Sequence, residues 1–187
     1  MKSCFVMVGV SGAGKSTIME QLKKISGGKD IRVFSLDDCR LAFAGNHIAG
    51  EIHRRGELSN AEMYRIAFDM ANENKAEFND YVTDSWNKAM EGDVLFVDNT
   101  NLTRKARARW CTEARAKGFT VWGIEVMAPL EVLVARQATR GDKSVPESVV
   151  RDMYMRQQSV LVGSEVDFLM VVDGTADNTK LIGGMHL

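Results

Sequence analysis

The stretch GVSGAGKSTI, residues 9–18, decides how the rest of the chain is read. Gly9, Gly14, Lys15 and Ser16 fit the pattern G-x-x-x-x-G-K-[ST] without a deviation, after a predicted strand and before a predicted helix. Glycines at this spacing let the backbone curl until successive N–H groups point inward at phosphate oxygens. The helix that follows adds its positive N-terminal end. In such a cradle Lys15 reaches the β- and γ-phosphates of a nucleoside triphosphate such as ATP, and Ser16 offers an oxygen to Mg²⁺. Ser11, Gly12, Ala13 and Thr17 complete the candidate nucleotide-binding set.

Outward from that loop, short apolar runs alternate with helical patterns. Strands are predicted at Cys4–Val8, Ile31–Phe34, Val94–Val97, Phe119–Val126 and Phe168–Val172, nearly continuous in apolar residues as a parallel sheet buried on both faces requires. Between them, Leu58 to Val82 reads as one helix with Tyr64, Ala67, Phe68, Ala71, Phe78 and Val82 on its inner stripe. Thr103 to Lys117 reads as another. Ser144-Val-Pro-Glu147 reads as a capping box opening a helix that buries Val149, Val150, Met153 and Val160. Strand–helix alternation implies right-handed crossovers with helices on both faces. The expected fold is α/β, a doubly wound parallel sheet forming one domain over residues 1–187.

Composition limits the function. The 187 residues are 45% hydrophobic and 26% charged with a net charge of -1, so no global basic field marks a nucleic-acid-coating protein. Cys4, Cys39 and Cys111 are too scattered for a disulfide framework or a metal site, which suits a reducing cytoplasm. No stretch approaches the roughly 18 apolar residues of a membrane span.

Three further segments carry chemistry. FSLDDCR, residues 34–40, follows the second strand on the same rim as the phosphate loop. An alcohol acceptor benefits from a carboxylate that takes its proton, whereas a phosphate acceptor does not, so Asp37 points to a hydroxyl. Arg40 is placed to steady a phosphate already carried by that acceptor. The competing reading makes Asp37 or Asp38, with Asp38 preferred, a helix cap and Arg40 a solvated side chain. VLFVDNTNLTR, residues 94–104, ends a strand in Asp98, Asn99 and Asn101, where an acid commonly orders the magnesium shell; an Asx turn is the alternative. Arg136 and Arg140 share one helix face before Gly141 and form a lid, about residues 136–146, that closes over the triphosphate.

Taken in order, Gly9–Ser16, Asp37-Asp-Cys-Arg40, Asp98-Asn-Thr-Asn-Leu102, Arg136 to Pro146 and Arg151-Asp-Met-Tyr154 resemble the kinase domain of the polynucleotide kinases, over roughly residues 3–157. The resemblance implies a P-loop kinase of adenylate-kinase type with a helical lid. It also implies ATP-dependent transfer to the 5′-hydroxyl end of DNA or RNA. Asp37 would be the general base and Arg40 the holder of the phosphate 3′ to that hydroxyl. Lys15, Ser16 and Arg140 would serve the triphosphate with Arg136 assisting. Cys39 and Leu36 depart from the family pattern, and Asp98 and Asn99 both compete for its strand-end position. VVDGT, residues 171–175, has Val171 where a phosphatase nucleophile would stand and only twelve residues after it, so no phosphatase domain is expected.

Two other readings fit the same residues. One is a related kinase acting on another alcohol: a nucleoside, a small molecule or a hydroxymethylated base. The other is a non-catalytic nucleotide switch. His47, His53, Arg54 and Arg55 match no motif; the histidines read as surface residues, and the arginines either line an acceptor channel or are solvated. Arg104, Lys105, Arg107 and Arg109 read as a basic helix face, either phosphate-contacting or solvated.

Overall fold

In the computed structural model, which describes residues 1–175, the strand that leads into the phosphate loop lies at the centre of the sheet. That strand, β1 (Lys2–Val8), is flanked by β3 (Val94–Val97) and β4 (Phe119–Met127), with β2 (Ile31–Phe34) and β5 (Phe168–Asp173) at the edges. The order is β2-β3-β1-β4-β5, and each neighbouring pair is parallel. The expected doubly wound α/β architecture is therefore what forms. From β1 the chain runs to one edge of the sheet, then to β3, then across to β4. Such a reversal opens a crevice at the carboxyl ends of the strands, where ligands bind.

α1 (Lys15–Ile25) follows the loop, and α2 (Leu36–Phe43), α3 (Gly45–Arg55), α4 (Asn60–Glu73) and α5 (Lys75–Ala89) fill the long connection between β2 and β3. α6 (Arg104–Ala116) joins β3 to β4. α7 (Leu130–Gln137), a 3-10 turn at Gly141–Lys143 and α8 (Glu147–Arg156) join β4 to β5. Two apolar layers sandwich the sheet. On one face Phe34 packs against Trp86 and Trp110, with ring centroids 5.1 and 4.8 Å away. On the other, Phe5 stacks on Phe96 at 5.1 Å above Ile18 and Leu22 of α1. Fully burying one such side chain is worth about 1.5–3 kcal/mol, so these layers hold the strand ends in register.

Several local expectations give way to tertiary context. The single helix over residues 58–82 is two: Asn74 leaves the helical region at φ -115° and ψ 51°, and its Nδ2 donates 2.9 Å to the Met70 carbonyl. Phe68, placed on the inner stripe, is 53% exposed, because α4 packs on α2 and α3 rather than on the sheet. The cap of α2 is neither aspartate but Ser35, whose Oγ accepts from Asp38 N at 3.2 Å. No capping box forms at Ser144; Pro146 precedes α8 without a side-chain cap, Val149 is exposed, and Val160 is buried beyond the helix end. The box that does form joins Ser59 and Glu62 at the start of α4.

Arg107 is the sharpest departure. Counted among a solvated basic face, it is fully buried. Its guanidinium pairs with Glu165 at 3.0 Å and donates to the carbonyls of Asn101, Leu102, Gln158 and Ser159 at 2.9–3.2 Å. It ties the loop after β3 to the segment after α8. Arg54 and Arg55 pair with Glu51 on α3. Among the described residues no helix is long and apolar enough to cross a membrane.

Candidate active site

Backbone hydrogen bonds stitch the ends of β1, β2 and β3 into one rim. Gly9 N donates to Thr100 O at 3.0 Å, and Asp98 N to Phe34 O at 2.8 Å. Asn99 Oδ1 accepts from Leu36 N at 2.9 Å, joining the end of β3 to the start of α2. The phosphate loop, Asp37 and Asp98 are thereby brought to the same crevice. Asn101 sits at φ 49° with its Nδ2 donating 2.8 Å to Met7 O, so its buried amide ties β3's loop to β1. Asn99 Nδ2 is buried and has no hydrogen-bond partner among the described residues.

The phosphate loop forms as its glycines require. Gly12 and Gly14 have φ of +90° and +105°, backbone that β-carbons disfavour. A Cβ on Gly12 would also meet Gln137 Nε2 at 2.8 Å. Gly14 caps α1, whose free N–H groups open into a cavity of about 440 Å³. Lys15, Ser16, Thr17, Arg136, Thr139 and Arg140 line that cavity. Arg136 donates to Gly12 O at 3.0 Å and Gly174 O at 2.8 Å, and Arg140 donates to Ser11 Oγ. Arg136 and Arg140 thus lie against the loop, and Lys15 Nζ donates to Gly9 O and Val10 O at 2.9 and 3.1 Å. Gln137 braces the loop from beneath, donating 3.1 Å to Ser11 O and accepting from Val145 N. Gly174 is needed for contact rather than chemistry: a Cβ there would meet Ala13 O at 2.1 Å.

On the other side of Lys15 stands the acidic rim. Asp37 is on the first turn of α2, its side chain 69% exposed, and pairs with Arg40 at 2.6 Å. The Arg40 guanidinium lies 5.7 Å over the exposed Phe68 ring on α4. The 3-10 turn at Gly141–Lys143 packs against α4. Phe68 reads as a core residue and Gln137 has no motif; the place of each depends on helix packing.

Electrostatics link the two halves. Burial pushes the Lys15 ammonium down to about 8, while the Asp98 carboxylate pulls it the other way. Burial raises Asp98 above the usual carboxylate range, and Lys15 opposes the shift. The site holds charges that want a polyanion. Since bound phosphate favours the charged lysine, nucleotide binding should take up a proton once the pH exceeds about 8. Titration calorimetry at about pH 8.5 in two buffers of different ionisation enthalpy measures this uptake. It should fall to near nothing in Lys15→Arg, and equal uptake in that variant would contradict the assignment.

The fold and this cradle define a P-loop nucleotide-binding domain with the α/β architecture of kinases. The chain belongs to the AAA domain family, whose model matches residues 5–161. Among solved structures it is similar to a sugar kinase from Janibacter sp. HTCC2649, with 20% identity, 97% of this chain and 91% of that chain covered, and a TM-score of 0.55. It is similar also to a candidate kinase from Chloroflexus aurantiacus (15% identity, 96% and 88% covered, TM-score 0.59). A third is Kti12 of Chaetomium thermophilum, solved with ADP-AlF3 (15% identity, 91% and 88% covered, TM-score 0.57). At these identities the likeness is one of fold. No curated protein matches the sequence.

Proposed function

We propose that this chain transfers the γ-phosphoryl group of ATP to the 5′-hydroxyl end of DNA or RNA. The observation that carries the reading is the Asp37–Arg40 pair on the rim beside Lys15: a carboxylate for a hydroxyl proton, and a guanidinium beside it for a phosphate. The triphosphate lies in the cradle of Gly9 to Thr17. Lys15 and Arg140 neutralise charge on its β- and γ-phosphates, and Arg136, lining the same cavity, assists them. In the transfer the 5′ oxygen bonds to the γ-phosphorus, its proton goes to Asp37, and the bond to the β-phosphate oxygen breaks to release ADP.

The residues fit a magnesium ion. Ser16, which lines the cavity at the phosphate loop, and Asp98, whose carboxylate interacts with Lys15, would hold it, with phosphates and water as the other ligands. Held there, it would supply positive charge to offset the charge that develops on the triphosphate. Arg40 receives the phosphate 3′ to the acceptor hydroxyl, and the exposed Phe68 ring offers a stacking surface to the terminal base. Asn99 Nδ2 is a spare donor at the strand end, and Asn101 holds that loop in place.

The sugar-kinase likeness favours a second reading, a small alcohol as acceptor. Transfer of labelled γ-phosphate from ATP with Mg²⁺ to a panel separates the two. The panel contains 5′-hydroxyl DNA and RNA oligonucleotides, nucleoside 3′-monophosphates, nucleosides, sugars and oligonucleotides with hydroxymethylated bases. Label on the oligonucleotide 5′ ends and on nucleoside 3′-monophosphates is expected. Label confined to sugars, nucleosides or modified bases would overturn the polynucleotide assignment.

A further inference from the structure

A second cavity, about 590 Å³, lies across the P-loop from the first. Gly12, Gly14, Lys15 and Ser16 face the nucleotide cavity, whereas Val10 and Ala13 line this one. Its volume falls within the roughly 300–1,000 Å³ of small-molecule sites. The walls are largely apolar: Met127, Leu133 and Val171 from β4, α7 and β5, with the Tyr154 ring of α8 at the side.

One side chain does not belong in such a wall. Glu125, in the middle of the apolar run of β4, is 6% exposed and lines the cavity. Its carboxyl group accepts one long hydrogen bond among the described residues, 3.3 Å from Gln157 Nε2. An acidic group buried without better pairing costs stability, and a ligand donor placed against it would offset that cost. The lining also excludes the obvious ligands. Among the described residues its lining includes the Glu125 carboxylate and no lysine or arginine, which disfavours phosphate and so a nucleotide tail or a nucleic-acid end.

We propose that this cavity is a separate binding site for a compact apolar organic cation, an amidine or amine whose N–H groups donate to Glu125 while its hydrocarbon body fills the cleft between Leu133, Tyr154 and Val171. The assignment is independent of the acceptor that the P-loop site serves.

The probe is benzamidine, with benzoate as the ring of the same size and the wrong charge, titrated against the whole chain by ligand-observed NMR. Saturable benzamidine binding without benzoate binding is expected. Glu125→Gln should weaken it by about tenfold or more, as loss of a charged hydrogen bond does. Val171→Trp, at a position 57% exposed and so tolerant of bulk, should block the cleft and abolish binding. Retained ATP binding reports that each variant is folded, and if Glu125→Gln fails that check, Val171→Trp decides. Absence of saturable benzamidine binding, equal binding of benzoate, or unchanged affinity in the folded variants would overturn the site.

Discussion

Asp37→Asn should reduce phosphoryl transfer by about 10²–10⁴-fold, the usual contribution of a positioned general base, while ATP affinity stays essentially in place. The reason lies in where the residue sits. Asp37 lies on the first turn of α2, largely exposed, and outside the lining of the cavity at the phosphate loop. Its carboxylate is held by Arg40 at 2.6 Å. An exposed pair of that kind is worth only about 0–1 kcal/mol, so under the proposed function an acceptor phosphate would draw Arg40 away and leave Asp37 to the incoming hydroxyl. The same substitution separates a kinase from a nucleotide switch, since a switch needs no base. Steady-state rates with an oligonucleotide acceptor, beside an ATP titration, make the measurement. Unchanged turnover would remove Asp37 from the chemistry.

Arg107→Ala should destabilise the fold by about 3–5 kcal/mol, the cost of breaking a buried ion pair by removing one partner. The variant strands the Glu165 carboxylate and four carbonyls that converge on one guanidinium. For a chain of this length that corresponds to a melting point lower by about 6–20 °C. The loss should reach the site as well, because Arg107 holds the carbonyls of Asn101 and Leu102 just beyond Asp98. Lysine cannot replace it: one ammonium cannot serve the fork that spans Glu165 and both loops. Thermal and urea unfolding test this, and a melting point within about 2 °C of the wild type would show the pairing to be dispensable.

The two residues mark the boundary of what the sequence makes legible. A strand, a glycine-rich turn and a lysine are local, so the P-loop, the parallel sheet and the rim of Asp37 and Asp98 can be read directly. Lid arginines at i and i+4 are local as well, and both meet the P-loop. Arg107 is different. Its neighbours in α6 are solvated arginines, and only Glu165, far along the chain, distinguishes it. Phe68 had the spacing of a core residue and is exposed, because the partners of α4 are helices and not the sheet. The acidic pair reads as the cap of α2, yet it is Ser35, just ahead of it, that accepts from Asp38 N. Glu125 reads as an ordinary interruption of an apolar strand until the cavity beside it is seen.

The most direct test of the proposed activity is mass spectrometry of one 5′-hydroxyl oligonucleotide after incubation with the protein, ATP and Mg²⁺. A gain of one phosphoryl group, located by fragmentation on the 5′ oxygen and blocked when that end is already phosphorylated, is the expected result. No gain, or a phosphoryl group on a base or at the 3′ end, would contradict it.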